Sequence, residues 1–505
     1  MVRSLAPWLY YPWEPRTQSR SYGREGVNAL LMPQRFLDTI TKERMGTAIT
    51  SAVAVGMAAY VLLKPKATPK ETTAPLAEPL LTMPKVELHV HLDGSFDATL
   101  LFTAAQARAQ AGMLPPDLAE RVSACADLAA FKRLVQCQET DRSLQAMIDR
   151  FEVFLPFVQG DLDLIEQLAY KFVAQQAAQN VIYTEVRYSP QVLTLPSPID
   201  PGVCSSCSSE PLPTLAEDSK AVVAAVTRGL RRGCEHHPGI EINQILCFMD
   251  SRPHWASSLA DLAMGEGRMA SLCRIVAVDV AAGEAHFAEH AKPAAGELRN
   301  GFTHRSFMCK CGASGLGVTV HAGESGPTAN VEAAMSDAYG RARRIGHGYA
   351  AVADAVCTAA NDGGSPAAVV SAFKGLGIPE GLTFECCPTS SRATGGWTGA
   401  DWATHPIAAL LRLRTQAEQS RDHTSAGALP RVTLSSDDPS VFSSSLTEEC
   451  RLAVDAMGLD EAALRQLMLN AVGAAFLDAD GKVQLRKRFD AAWSKWAACR
   501  ESRES

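Results

Sequence analysis

Between residues 86 and 92 the chain reads VELHVHL. Apolar side chains at Val86, Leu88, Val90 and Leu92 alternate with polar ones at Glu87, His89 and His91. A period of two is that of a β-strand, and Gly94 ends it. Helical periods follow at 97–110, 117–136, 143–157 and 165–180. In 143–157 the apolar positions are Leu144, Met147, Ile148, Phe151, Phe154 and Leu155, three or four residues apart around the turn. Strand-like runs then recur at 181–188, 240–248, 274–280, 317–321, 344–347, 382–386 and 431–435, with helical stretches between most of them, including 219–236. With the first run they make eight. Strands alternating with helices predict a parallel sheet, and eight of them predict a closed (β/α)8 TIM-type barrel over residues 81–500.

Residues 1–80 follow no such pattern and read as a non-globular leader. Within it, 45–63 (MGTAITSAVAVGMAAYVLL) is uncharged and bounded by Arg44 and Lys64. Its length matches a bilayer core, although it is richer in Ala, Gly, Ser and Thr than in Leu and Ile. It is a candidate membrane anchor, with a targeting presequence or a disordered leader as the alternatives, and the protein is expected to be cytoplasmic or membrane-tethered through this segment. Residues 64–80 (KPKATPKETTAPLAEPL) form a Pro-rich linker.

Composition narrows the function classes. The 505 residues are 47% hydrophobic and 20% charged, ordinary for a globular protein, and the net charge of -7 offers no basic footprint for a nucleic-acid polymer. The 14 cysteines are scattered and form no regular framework, which favours free thiols in a reducing compartment.

The chemistry gathers where a barrel keeps its active site, at the C-terminal ends of the strands. His89, His91 and Asp93 close the first run. His321 and Glu324 close the fifth (HAGE), His347 the sixth, and Asp437 and Asp438 the eighth (SSDDP). His89 and His91 fall on one face of their strand, about 7 Å apart. Imidazoles with a carboxylate suit one zinc-like divalent ion with a position left for water. Of the two adjacent aspartates, one can ligate while the other faces substrate. Glu324, three residues past His321, is placed as a proton donor. His347 is suited to orient or deprotonate the attacking water.

These stretches resemble the adenosine deaminase family of the metallo-dependent hydrolases. The matching segments are PKVELHVHLDGS (84–95), EVRYSP (185–190), HAGE (321–324), RIGHG (344–348), CPTSSRATGGW (387–397) and SSDDP (435–439), in the family's order. The resemblance covers roughly residues 83–478. It implies zinc-dependent hydrolytic deamination of adenosine, and of 2′-deoxyadenosine, to the inosine product and ammonia. By the same resemblance His89, His91, His321 and Asp437 are the zinc ligands, and Glu324 protonates the purine N1. His347 holds the attacking water, Asp438 hydrogen-bonds N7, and Asp93 contacts the ribose hydroxyl.

Departures are local. The family's Asp-Leu-Ala-Gly-Asp-Glu run reads Asp279-Val280-Ala281-Ala282-Gly283-Glu284 here. Either Ala282 stands in place of the Gly that lies against the purine, or Gly283 takes its place after a one-residue shift. Two insertions, 196–215 and 285–315, carry Cys204, Cys207, Cys309 and Cys311. Four cysteines could hold a structural zinc, but the pairs lie far apart in sequence, and incidental cysteines are the expectation. Cytidine-type deaminases are excluded, because no His-x-Glu accompanies the CxxC, which Val203 precedes. The competing readings are a deaminase of adenine or of an N6-modified AMP, and an inactive nucleoside-binding homologue. Asp93, with Ser390, Ser391, Thr394, Gly395 and Trp397, favours a nucleoside, and every expected ligand and Glu324 are present. The partner is therefore a small purine nucleoside.

Overall fold

The computed structural model describes residues 77–504, except for 139, 196–212, 250–251, 253–254, 270–271, 285–303, 337–339 and 362. The proposed anchor at 45–63, and Cys204 and Cys207, lie outside the described residues. Among the described residues no helix is long and apolar enough to cross a membrane.

Eight parallel strands follow one another in sequence order around a barrel: β1 (Lys85–His91), β2 (Val181–Tyr188), β3 (Glu241–Met249), β4 (Ile275–Ala281), β5 (Gly317–Ala322), β6 (Arg344–His347), β7 (Thr383–Cys386) and β8 (Arg431–Leu434). Every one lies within a residue or so of its predicted run. The short β6 holds its place because Thr319 to Ala322 of β5 pair with it residue for residue, and three of its residues pair onward with β7.

One helix prediction fails. Residues 117–136 are two helices, Pro116–Ser123 and Leu128–Val135. The break follows from Asp127, whose carboxylate accepts the Ala130 amide 2.7 Å away and so starts a second helix. The apolar period continues across the break, which is why the sequence reads as one element. The 143–157 segment runs as Leu144–Phe154 and then a 3-10 turn, Leu155–Phe157.

The two faces of the strands divide the labour. Val86, Leu88, Val90, Val278, Val280, Val318, Val320, Phe384 and Val432 are fully buried in the apolar core. The barrel interior is polar. Arg187 of β2 reaches Asp279 of β4 and Glu385 of β7. Arg344 of β6 reaches Glu185 of β2 and also Glu385. Ion pairs between strands that are not neighbours require side chains pointing inward. Burying so many charges is tolerable because each has an opposite partner.

Closure between β8 and β1 is spare. It consists of one isolated bridge, Val90 to Asp437. The Asp437 amide donates to the His89 carbonyl (3.1 Å), and the His91 amide to the Asp437 carbonyl (2.7 Å). Two serines reinforce it. Ser435 Oγ accepts the His89 amide at 3.2 Å, and Ser436 donates its amide and hydroxyl to Glu87 Oε1.

Candidate metal and catalytic site

His89, His91, His321, His347, Glu324, Asp437 and Asp438 meet at one end of the barrel, as strand-end positions require. The ligand atoms of His89, His321, His347 and Asp437 all lie within 4.8 Å of one another, and His91, Asp437 and Asp438 form an overlapping group. Asp437 Oδ1 sits 3.1 Å from His89 Nε2 and 3.4 Å from His91 Nε2. His91 Nε2 and His321 Nε2 face each other at 3.2 Å. The residues read as ligands from the sequence are thus together, and His347 stands in the same cluster.

The tautomers are set from behind. His89 Nδ1 lies 2.8 Å from Glu385 Oε2, and His321 Nδ1 lies 3.0 Å from Asp279 Oδ2. Each ring donates its Nδ1 proton to a buried carboxylate, so each Nε2 presents a lone pair to the cluster. His89 Nε2 is buried without a hydrogen-bond partner. Lone pairs converging on one point, with an orphaned nitrogen among them, are the arrangement a cation satisfies. Nitrogen and oxygen donors in this number fit a zinc-like divalent ion.

The supporting layer was not assigned in the sequence analysis. Arg187 donates to Asp279 Oδ2 at 2.7 Å, to Glu385 Oε2 at 2.8 Å and to the Leu88 carbonyl at 2.7 Å. A signal for it existed: Arg187, Asp279 and Glu385 are charged residues inside otherwise largely apolar strand runs, and opposite charges in such places must find each other.

Electrostatics separate the carboxyls into two kinds. Burial opposes ionisation of Asp437, but His89, His347 and His91 outweigh it and hold Asp437 well below the usual carboxylate range. Glu324 is pushed up to about 8 by burial, then by Asp437 and Glu284 nearby. Asp438 is raised by burial and by Asp437, and Asp93 is raised by burial to about 7. Burial lowers His347, which favours neutral imidazole. Asp437, biased toward the charged form, thus sits beside carboxyl groups biased toward the protonated form, the pattern that separates acid from base roles.

Glu324 Oε2 is 3.5 Å from His347 Nε2, while Oε1 is buried with no partner. The loop after β7 roofs it: a Cβ on Gly396 would lie 2.9 Å from the Glu324 carbonyl and 3.3 Å from its Cγ. Ser390, Ser391 and Thr394 are buried in the helix Pro388–Thr394, and Trp397 stacks on Trp402 with centroids 4.7 Å apart. Asp93 accepts the Ser189 amide at 3.3 Å and keeps an unpartnered Oδ1, as does Asp438. Three residues near this end of the barrel, Ala282 (φ 68°), His347 (φ 67°) and Asp437 (φ 60°), adopt left-handed backbone, the kind of local strain that collects at functional sites.

Gly94 makes room for one of these acids. A Cβ there would fall 1.8 Å from Asp438 Oδ1. Gly94→Ala is expected to displace Asp438 and lower kcat/KM by about 100-fold, with bound metal retained. Steady-state kinetics with metal analysis check this, and a variant within threefold of wild type would contradict it.

The cysteine expectation stands apart from this cluster. Cys311 is buried and Cys309 half-buried on the helix His304–Ala313, and among the described residues neither joins a metal-holding group.

Comparison with known proteins agrees with the motifs. The family model described as adenosine deaminase matches residues 84–492. Adenosine deaminase of Mus musculus is 29% identical over 415 residues, covering 81% of this chain and 97% of that protein. Adenosine deaminase of Xenopus laevis is 31% identical over 409 residues, covering 81% and 95%. Among solved structures, Arabidopsis ADAL complexed with IMP aligns with a TM-score of 0.55 at 21% identity, over 83% of this chain and 99% of that one. The adenine deaminase of Arthrobacter aurescens aligns with a TM-score of 0.55 at 17% identity, over 82% and 99%. These two likenesses bear on the fold.

Proposed function

The chain belongs to the adenosine deaminase family of hydrolytic deaminases, and from that premise we propose that it converts adenosine and 2′-deoxyadenosine, with water, to the inosine products and ammonia, using one zinc ion. His89, His91, His321 and Asp437 would hold the ion, with His89 and His321 already oriented by Glu385 and Asp279. When bound, zinc supplies Lewis acidity and lowers the pKa of a coordinated water toward about 7.

The chain's own groups supply the rest. Glu324 is protonated near neutral pH and offers its proton to N1 of the purine, which makes C6 electrophilic. His347, buried and neutral, orients the attacking water and takes its proton. Asp438 has an unpartnered oxygen available to N7. Ala282 follows β4 directly, and Asp279 and Glu284 bracket the turn at the spacing of the family's run. We assign Ala282, rather than Gly283, to the edge of the purine.

The observation that carries this reading is the facing pair Glu324 and His347, with Glu324 Oε1 unpartnered beside the imidazole cluster. Asp93 selects between nucleoside and nucleotide. A buried carboxyl with an oxygen free of hydrogen bonds can pair with a ribose hydroxyl in either protonation state, and it offers no positive charge to a 5′-phosphate.

The test is the ultraviolet absorbance change of adenosine, with AMP, adenine and N6-methyl-AMP in parallel. Turnover is expected with adenosine and deoxyadenosine, and a chelator should abolish it. Turnover of the phosphorylated or bare-base substrates instead would overturn the role of Asp93. Activity surviving complete metal removal would overturn the zinc assignment.

A further inference from the structure

The loop that carries Glu324 is built around a side chain to which the reaction above gives no role. Glu284, at the turn after β4, is buried to 6% exposure. Its Oε1 accepts the backbone amides of Glu324 (2.6 Å) and Ser325 (2.9 Å), and its Oε2 accepts the amide of Gly323 (2.8 Å) and Asn330 Nδ2 (2.8 Å). Three successive amides converging on one anion form an anion-binding concavity, here filled from within the protein. Hydrogen bonds to an ionised carboxylate are about twice as strong as neutral ones.

The loop leaves space for this carboxylate. A Cβ on Gly326 would lie 2.4 Å from Glu284 Oε2 and 2.3 Å from Asn330 Nδ2. Gly323 takes left-handed backbone (φ 70°), which helps turn the successive amides to one side. Asn330 belongs to the helix Thr328–Met335, so one carboxylate joins the β4 turn, the β5 loop and the following helix.

We propose that Glu284 is a positioning residue for the proton donor: it fixes the backbone of Glu324 against the β4 turn, so that the acid and the edge of the ring site at Ala282, two residues before Glu284, form one rigid unit. This rests on the reading of Glu324 as the acid. Glu284 belongs to neither group of ligand atoms, and its hydrogen bonds go to the loop amides and Asn330. Its effect is on the distance between the acid and the ring, where a displacement near 1 Å costs about 100-fold in rate.

The metal-loaded enzyme provides the test. Glu284→Gln keeps the size but turns an amide donor toward backbone donors. It is expected to lower kcat about 100-fold, to shift KM by less than about threefold and to leave bound metal unchanged. Glu284→Asp, shorter by one methylene, should fail to restore kcat. Gly326→Ala, which displaces the carboxylate while leaving Glu284 in the chain, should reproduce the kcat loss, and it decides the matter if Glu284→Gln does not fold. Wild-type kcat, within about threefold, in Gly326→Ala and in any folded Glu284→Gln overturns the proposal, as does a loss carried by KM alone. Glu324→Gln runs alongside. If that variant stays active, the assignment of the acid has failed, a result distinct from failure of the positioning role.

Discussion

Glu324→Gln is expected to lower kcat by about 1,000-fold or more, the upper part of the range for a general acid. The amide fills the same volume and can still hydrogen-bond, but it has no acidic proton to transfer to N1. No neighbour can take over. His347, 3.5 Å away, is biased toward the neutral form by burial. Because Glu324 lies outside both groups of ligand atoms, metal content should be unchanged. Steady-state kinetics with metal analysis decide it, and a loss smaller than tenfold would place the proton donor elsewhere.

Arg187→Met is expected to have the largest effect on stability. Arg187 is completely buried and donates to Asp279, Glu385 and the Leu88 carbonyl. Removing one member of such a set leaves buried charge uncompensated, a loss of about 3–5 kcal/mol. Burial alone would raise the pKa of both carboxylates. His321 and Arg187 more than offset it at Asp279, and Arg187 and Arg344 do so at Glu385, so both are depressed. Depressed carboxylates stabilise the fold above their unfolded pKa of about 4, and the contribution is lost as pH falls through the folded values. The destabilisation by Arg187→Met should therefore be full at neutral pH and shrink in acid. Asp279 and Glu385 also orient His321 and His89, so metal affinity should fall about 10- to 100-fold. Urea unfolding at two pH values and metal titration measure both. A stability loss under about 1 kcal/mol would show that the carboxylates find other partners.

What was legible in the sequence is what local pattern encodes. One alternating run and seven further strand-like runs marked β1 to β8, and the rim rule then collected His89, His91, His321, His347 and the two aspartates from strand ends alone. The break before Leu128 was invisible because Asp127 interrupts the backbone without interrupting the apolar period. The support behind the ligands was illegible for another reason. Arg187 meets partners 92 and 198 residues away, and only the closed barrel brings them together. Glu284 was read as the end of a motif, whereas its role depends on amides about 40 residues further along. The identity of the left-handed residue after β4, Ala282 rather than Gly283 alone, likewise required the backbone.

The spare seam between β8 and β1 has a consequence for how the protein is made. Asp437 supplies both the backbone bridge that shuts the barrel and the carboxylate at the centre of the imidazoles. The seam joins residues 346 apart in sequence, so a nascent chain cannot complete the ligand set until β8 has been synthesised. Long-range pairing of this kind is slow to form. Until then the imidazoles of β1, β5 and β6 lack the Asp437 carboxylate that stands among them in the folded barrel. Opening the seam would pull Asp437 away from the imidazoles, and hydrogen exchange at the His91 and Asp437 amides is a direct clock for that opening.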